Sequence, residues 1–81
     1  MSGPRNKTGK PASEDPVLIE LGEQIARARR AAGRLQQEVA DSAGVSRSTL
    51  HTIEHGGAGV RWEKVAAVAA ALGLAMTFET P

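Results

Sequence analysis

His51, Glu54 and His55 are the residues whose types and spacing most suggest chemistry, because they lie in the pentapeptide HTIEH. The pattern H-x-x-E-H is a zinc-hydrolase signature, in which two histidines one helical turn apart hold the metal and the glutamate acts as a base. A zinc hydrolase also needs a third protein ligand and a walled cleft. The 81-residue chain has no cysteine and no other histidine. We therefore predict no enzyme, no cofactor and no resident metal, although the histidine pair could bind adventitious zinc or nickel.

The alternative interpretation of HTIEH is the exposed side of a short helix that contacts another molecule. Ser46 is a candidate N-cap, so this helix should begin at Arg47 and end before Gly56 and Gly57. The helical projection separates an apolar side from a polar side that is rich in hydrogen-bond donors. The polar side chains are Ser48, His51, Thr52 and His55, with Arg47 and Thr49 at the flanks.

Apolar residues at steps of three or four predict three more helices. The first runs from Val17 to Gly33, another covers residues 36–44, and the last runs from Arg61 to Leu72. The fold class is therefore mainly α. The predicted core positions on the four helices are Leu18, Leu21, Ile25, Ala28, Ala32, Val39, Ala40, Ala43, Leu50, Ile53, Trp62, Val65, Val68 (or Ala69) and Leu72.

The two ends of the chain differ from the helical part. Residues 1–16 are rich in Pro, Gly, Ser and Lys, which predicts a flexible tail that either stays solvated or reaches along DNA as a basic arm. Residues 74–81 change to period two, which predicts a β-strand. Because the sequence predicts no other strand, Leu74, Met76 and Phe78 should pair with the same strand of a second subunit. The alternative is a tail that lies along the helices.

Charge and hydropathy restrict the classes of function. Of the ten basic and nine acidic side chains, three basic and two acidic ones lie in residues 1–15, so residues 16–81 carry seven of each. Any nucleic-acid surface must therefore come from uneven placement of charge. The longest apolar run, residues 65–76, is too short to span a membrane, and the N-terminus has no apolar signal segment. We expect a cytoplasmic protein without membrane contact.

Residues 36–57 carry a resemblance to a known family. Two short helices separated by AGVS, the second with RSTL followed by IE and a glycine, resemble a helix-turn-helix. The stretch from Gly33 to the LGL at residues 72–74 resembles the Cro/C1/Xre family of DNA-binding domains, and the likeness covers most of residues 18–73. It implies a lambda-repressor-like bundle of four to five elements in residues 17–73. The strand at residues 74–81 resembles the HipB-like antitoxin branch, whose dimers share a small intersubunit sheet.

The resemblance also implies which residues contact DNA. In this family the second helix of the motif enters the major groove by its N-terminal residues. The matching base-contacting residues are Arg47, Ser48, Thr49 and Thr52, and the matching phosphate-contacting residues are Gln36, His51, His55 and Arg61. Arg47 could form two hydrogen bonds to guanine, or it could be an ordinary solvated arginine. Gln36 and the two histidines could likewise be plain surface. The resemblance pairs Glu54 with Arg29 as a structural ion pair.

One segment departs from the family pattern. The chain reads Gly33, Arg34, Leu35, Gln36, whereas the family usually has an apolar residue after the glycine and then a Ser or Thr cap. The loss of a capping hydroxyl costs about 1 kcal/mol.

Together these features predict a homodimeric, sequence-specific repressor that binds a palindromic operator in double-stranded DNA. The HipB-like resemblance further implies an antitoxin that represses its own operon and binds a toxin, such as a HipA-type kinase. The alternative is a protein-interaction module that neutralises a toxin, with incidental DNA binding.

Overall fold

The computed structural model describes residues 15–75, which form four helices. Their bounds are α1 Pro16–Ala31, α2 Gln36–Ala43, α3 Arg47–Glu54 and α4 Trp62–Ala71. The mainly α fold is thus confirmed, and each helix boundary lies within about two residues of its prediction. None of these helices is long and apolar enough to cross a membrane.

The predicted C-terminal strand falls almost wholly outside the described residues. Met76 and Phe78 are beyond them, while Leu74 and Ala75 are described and are not in a strand. The predicted tail, residues 1–16, is described only from Asp15 onward.

Local chemistry explains where α1 begins. The Asp15 side chain accepts a hydrogen bond from the Val17 N–H at 2.9 Å, so Asp15 is the N-cap of the helix. Pro16 occupies the first turn, where its missing N–H leaves no hydrogen bond unmade. The helix therefore starts one residue before the predicted Val17, because Asp15 and Pro16 provide a cap and a preset backbone angle.

The turn between α2 and α3 has the form of a helix-turn-helix. Gly44 ends α2 in the left-handed conformation, with φ 74° and ψ 29°, and the Val45 N–H donates to the Ala40 carbonyl at 3.0 Å. Ser46 Oγ accepts the Thr49 N–H at 3.0 Å, which confirms the predicted N-cap of α3. A left-handed residue and a capped helix start fix the angle between the two helices.

The start of α2 compensates for its missing cap. Leu35 is the N-cap residue, and its side chain makes no capping hydrogen bond. Instead, the Leu35 N–H donates to Glu38 Oε1 at 3.0 Å. This is one half of a capping box, and it satisfies a backbone donor that would otherwise lack a partner within the helix.

The core lies where α1 packs against α3 and α2 packs against both α3 and α4. Its largest fully buried side chains are Ile25, Val39, Leu50 and Val68. Each such side chain contributes about 1.5–3 kcal/mol through removal of apolar surface from water. The residues packed around them are Leu21, Ala43, Val45, Val60 and Leu72.

Two predicted core residues are instead exposed. Trp62 is 54% exposed, because it is the first residue of α4 and lines an open groove together with Leu18, Leu21 and Val65. Ala32 is exposed because α1 ends one residue earlier. Helical spacing is therefore a poor guide at a helix end, where the neighbouring helix no longer covers the apolar side.

The close contact between α1 and the end of α3 was not predicted from the sequence. A Cβ atom on Gly22 would meet the backbone carbonyl oxygens of Ile53 and Glu54. A Cβ on Gly56, whose φ is 73°, would lie 2.8 Å from the Ile19 Cα. Because neither glycine has a side chain, the α1 backbone approaches the last turn of α3 directly, which sets the position of α3 in the bundle.

Candidate nucleic-acid interface

The predicted base-contacting residues lie together on the outer side of α3. Leu50 and Ile53 are buried against the core, so the opposite side of this helix faces outward. The residues on or beside this outward side are the exposed Arg47, Ser48, His51 and His55 and the half-buried Thr49 and Thr52. The structure thus presents a short polar surface, which we call the α3 polar face.

Arg47 lies at the N-terminal end of this face. It is the first residue of α3 and is exposed. Within residues 15–75 its guanidinium has no hydrogen-bond or ion-pair partner. A positive charge is mildly unfavourable at the positive end of a helix, so Arg47 does not stabilise the helix on which it lies. Its five N–H donors remain available to another molecule.

Hydroxyl groups next to Arg47 form a small network around the N-cap. The Ser46 hydroxyl donates to Thr49 Oγ1 at 2.9 Å, and its oxygen lies 3.2 Å from Ser48 Oγ. Thr52 Oγ1 donates to the Ser48 carbonyl at 3.0 Å. Since its proton is already used inside the helix, Thr52 offers acceptor lone pairs and a methyl group, which suit a base amino group or the thymine methyl group.

Arg29 and Glu54 form a two-point ion pair between α1 and the last turn of α3. Arg29 Nε lies 2.7 Å from Glu54 Oε2, and Nη2 lies 3.1 Å from Oε1. The two side chains are 14% and 3% exposed. The pair that the resemblance implied is therefore present in the structure, and its parallel hydrogen bonds have the geometry that makes arginine–carboxylate pairs strong.

Gln36 is attached to the same carboxylate. Its Nε2 donates to Glu54 Oε1 at 3.0 Å, and the side chain is half-buried. The start of α2 is thereby braced against the end of α3. Because an amide nitrogen carries two N–H donors, one donor of Gln36 remains for an external acceptor such as a phosphate.

Arg29, Gln36 and Arg30 together keep the Glu54 carboxyl ionised. Burial alone would raise the pKa of this carboxyl, but hydrogen bonds from Arg29 and Gln36 and the charges of Arg29 and Arg30 hold it below its ordinary value. The hydrogen bond to Glu54 in turn raises the pKa of Arg29. Glu54 is thus a buried, ionised and fully engaged carboxylate, not a base poised beside the two histidines.

His51 and His55 are exposed at the C-terminal end of the α3 polar face. Their rings stack with centroids 4.0 Å apart and an angle of 28° between the planes. His55 Nδ1 lies 2.8 Å from the His51 carbonyl oxygen. Arg61, the other predicted phosphate contact, is exposed immediately before α4, and no hydrogen bond joins it to α3 within residues 15–75.

Arg34 connects three parts of the fold, a role that was not predicted from the sequence. Its Nη1 donates to the Ala71 carbonyl at 3.1 Å and its Nη2 to Ser42 Oγ at 3.0 Å. The Arg34 carbonyl accepts a hydrogen bond from Arg29 Nη1 at 3.0 Å. Arg34 thus joins the end of α4 to α2 and to the Arg29–Glu54 pair. The only signal in the sequence was an arginine where the resembling family usually has an apolar residue.

Comparisons with known proteins identify the family. Residues 20–77 match the family model described as a helix-turn-helix domain. No curated protein sequence matches the chain significantly.

Three solved structures share this fold. The clp gene regulator ClgR from C. glutamicum is 31% identical, with a TM-score of 0.67 over 76% of this chain and 80% of that chain. The restriction-modification controller protein C.AhdI from Aeromonas hydrophila is 26% identical, with a TM-score of 0.68 over 75% and 92%. A chain of the HipA-HipB-O2-O3 complex is 19% identical, with a TM-score of 0.73 over 84% and 96%. The chain therefore belongs to the helix-turn-helix domain family of the Cro/C1/Xre type and has the fold of DNA-binding regulators.

Proposed function

We propose that this protein is a homodimeric, sequence-specific transcriptional repressor that binds a palindromic operator in double-stranded DNA. The observation that carries the proposal is Arg47, an exposed guanidinium without a partner in residues 15–75, on the first turn of a helix whose start and end are both held in place. Ser46 caps the start of α3, and the Arg29–Glu54–Gln36 cluster holds its end. A rigid element with an uncommitted arginine is suited to reading a base edge.

In this proposal the two groups of residues on the interface have different tasks. Arg47 reads guanine through O6 and N7, which discriminates by about 1–3 kcal/mol, while Ser48, Thr49 and Thr52 contact neighbouring bases. The phosphate contacts, which position the domain without carrying sequence information, are Gln36, His51, His55 and Arg61.

The small size of this surface supports the proposal of a dimer. The α3 polar face spans about two helical turns, so one copy reads only a few base pairs. A two-fold dimer doubles the contact and imposes a palindrome on the operator. We assign the dimer contact to Leu74, Met76 and Phe78, whose alternating pattern suits strand pairing between copies.

The similarity to the chain in the HipA-HipB-O2-O3 complex concerns the fold alone. It motivates a narrower proposal, in which the protein is a cytoplasmic antitoxin that represses its own operon and binds a toxin, such as a HipA-type kinase. Co-purification with the product of a neighbouring gene would test this narrower role separately from DNA binding.

The repressor proposal is tested by selection of DNA from a random duplex library at moderate salt. Wild type should enrich a palindrome, and Arg47→Ala should lose its preference at one position in each half-site. Arg27→Ala is the matched control, because Arg27 is exposed on α1 and its loss removes the same charge away from α3. The proposal would be overturned if the wild type enriched no DNA sequence, or if Arg47→Ala enriched the same motif as the wild type.

A second candidate is a protein-interaction module that neutralises a toxin. The observation that favours it is the equal number of basic and acidic side chains in residues 16–81, since DNA-binding domains usually carry excess positive charge. The salt dependence separates the two candidates. Contact with several phosphates lowers the logarithm of the binding constant by about 0.9 per phosphate for each tenfold rise in salt, whereas an apolar protein interface is much less affected.

A further inference from the structure

We propose that His51 and His55 form a two-ligand site for a late divalent transition-metal cation, with nickel, zinc and copper as the chemical class. This inference goes beyond the proposed function and depends only on the chain's own fold. Both residues are exposed on one side of α3, one helical turn apart. Imidazole is the side chain that suits these metals.

The first supporting observation is the contact between the His55 ring and the His51 carbonyl. A carbonyl oxygen can only accept a hydrogen bond, so the 2.8 Å contact with the His51 carbonyl requires that His55 Nδ1 donate. In the neutral ring this leaves the lone pair on Nε2. A hydrogen bond from the second ring nitrogen to a backbone carbonyl is the arrangement that orients metal-binding histidines in proteins.

The second observation is the distance between the rings. Their centroids are 4.0 Å apart, and two imidazole nitrogens that bind one metal at about 2.0–2.1 Å are separated by about 3 Å. The nitrogen lone pairs lie in the ring planes, which are nearly parallel in this stack, so both rings reach one cation only after the His51 ring turns out of the stack. Both rings are exposed, so this rotation moves the His51 ring through solvent.

The site differs in kind from the zinc-hydrolase site considered for HTIEH. The Glu54 carboxylate is hydrogen-bonded to Arg29 and Gln36, and no cluster of three or more potential ligands occurs in residues 15–75. With two nitrogen ligands and no carboxylate, the site should reject hard cations such as Mg²⁺ and Ca²⁺, which require oxygen ligands. A bound divalent cation would add two positive charges to the α3 polar face.

The test is a calorimetric titration of the full, untagged chain with NiCl₂, repeated with MgCl₂. The single variants are His51→Gln and His55→Gln. The matched control is the double variant Ser48→His with His51→Gln, which keeps two histidines but places them seven residues, about 10.5 Å, apart along the helix axis. Circular dichroism of each variant confirms that the helices are retained.

We expect wild type to bind one Ni²⁺ per chain and no Mg²⁺. Each single variant and the spacing control should bind Ni²⁺ at least about tenfold more weakly, because the second nitrogen no longer acts at high effective concentration. Ni²⁺ should also raise the melting temperature of wild type more than that of the variants. Equal Ni²⁺ affinity in wild type and spacing control, or no binding by wild type, would overturn the proposal.

Discussion

The guanidinium of Arg29 lies against the carboxylate of Glu54, with Nε 2.7 Å from Oε2 and Nη2 3.1 Å from Oε1. Gln36 adds a third hydrogen bond to this carboxylate at 3.0 Å. Residues from α1, α2 and α3 therefore converge on a single buried charge. Since α3 carries the proposed reading residues, this cluster couples the stability of the bundle to the position of the interface.

Removal of one partner of the Arg29–Glu54 pair should be strongly destabilising. Glu54→Leu leaves a largely buried guanidinium without its counter-charge, and we expect the free energy of unfolding to fall by about 3–5 kcal/mol. The double variant Arg29→Met with Glu54→Leu should recover much of this loss, because no uncompensated charge remains. Urea unfolding of the wild type, both single variants and the double variant measures the coupling. If the effects of the two substitutions on the free energy of unfolding were additive, the interaction between Arg29 and Glu54 would not contribute to stability.

The lowered pKa of Glu54 predicts how stability depends on pH. The unfolded chain takes up the proton at the ordinary glutamate value of about 4.3, whereas the folded chain resists it to lower pH. The pair therefore contributes fully above that ordinary value, and its contribution is lost as pH falls through the lower folded pKa. We expect the stability difference between wild type and Glu54→Gln to stay constant above about pH 5 and to shrink as the pH is lowered from about 5 to about 3. A constant difference across this range, in thermal unfolding experiments, would contradict the prediction.

Gly22→Ala should destabilise the protein even though alanine favours helix formation. The added Cβ would meet the carbonyl oxygens of Ile53 and Glu54, which are backbone atoms and cannot rotate away. We expect a net loss of about 1–3 kcal/mol from overpacking. Glu23→Ala is the control, because Glu23 is exposed on the same helix and should change stability by less than about 0.5 kcal/mol. Equal stability of the two variants in chemical denaturation would refute the close approach of α1 and α3.

Ser46→Ala and Ser48→Ala should differ in what they change: the first should lower the stability of α3, and the second should weaken DNA binding. Loss of the hydroxyl that accepts the Thr49 N–H should cost about 1 kcal/mol. Ser48→Ala in the same turn removes an exposed hydroxyl that does not cap the helix, so its effect on stability should be small while operator binding weakens. Unfolding and DNA-binding measurements on both variants give the comparison. If Ser48→Ala destabilised the protein more than Ser46→Ala, the assignment of Ser46 as the N-cap of α3 would be wrong.

Much of the fold follows from local signals. Gly44 and Ser46 mark the turn between α2 and α3, and the periodic apolar residues mark four helices, because capping and amphipathicity act over a few residues. The proposed base contacts fall on the exposed side of α3 for the same reason. Trp62 shows where such reasoning fails. Its spacing is that of a core residue, but whether a neighbouring helix covers the start of α4 depends on packing between distant segments.

The sequence by itself determined the helices, the helix-turn-helix and the polar composition of α3, since each depends on neighbours within about one or two turns. Only the tertiary structure decided that Gly22 would meet the end of α3, that Gln36 would join Arg29 on Glu54, and that Arg34 would reach the Ala71 carbonyl. These contacts join residues 18 to 37 positions apart in the chain. Helical periodicity shows which side of a helix faces inward, but the residue met there depends on how the helices pack.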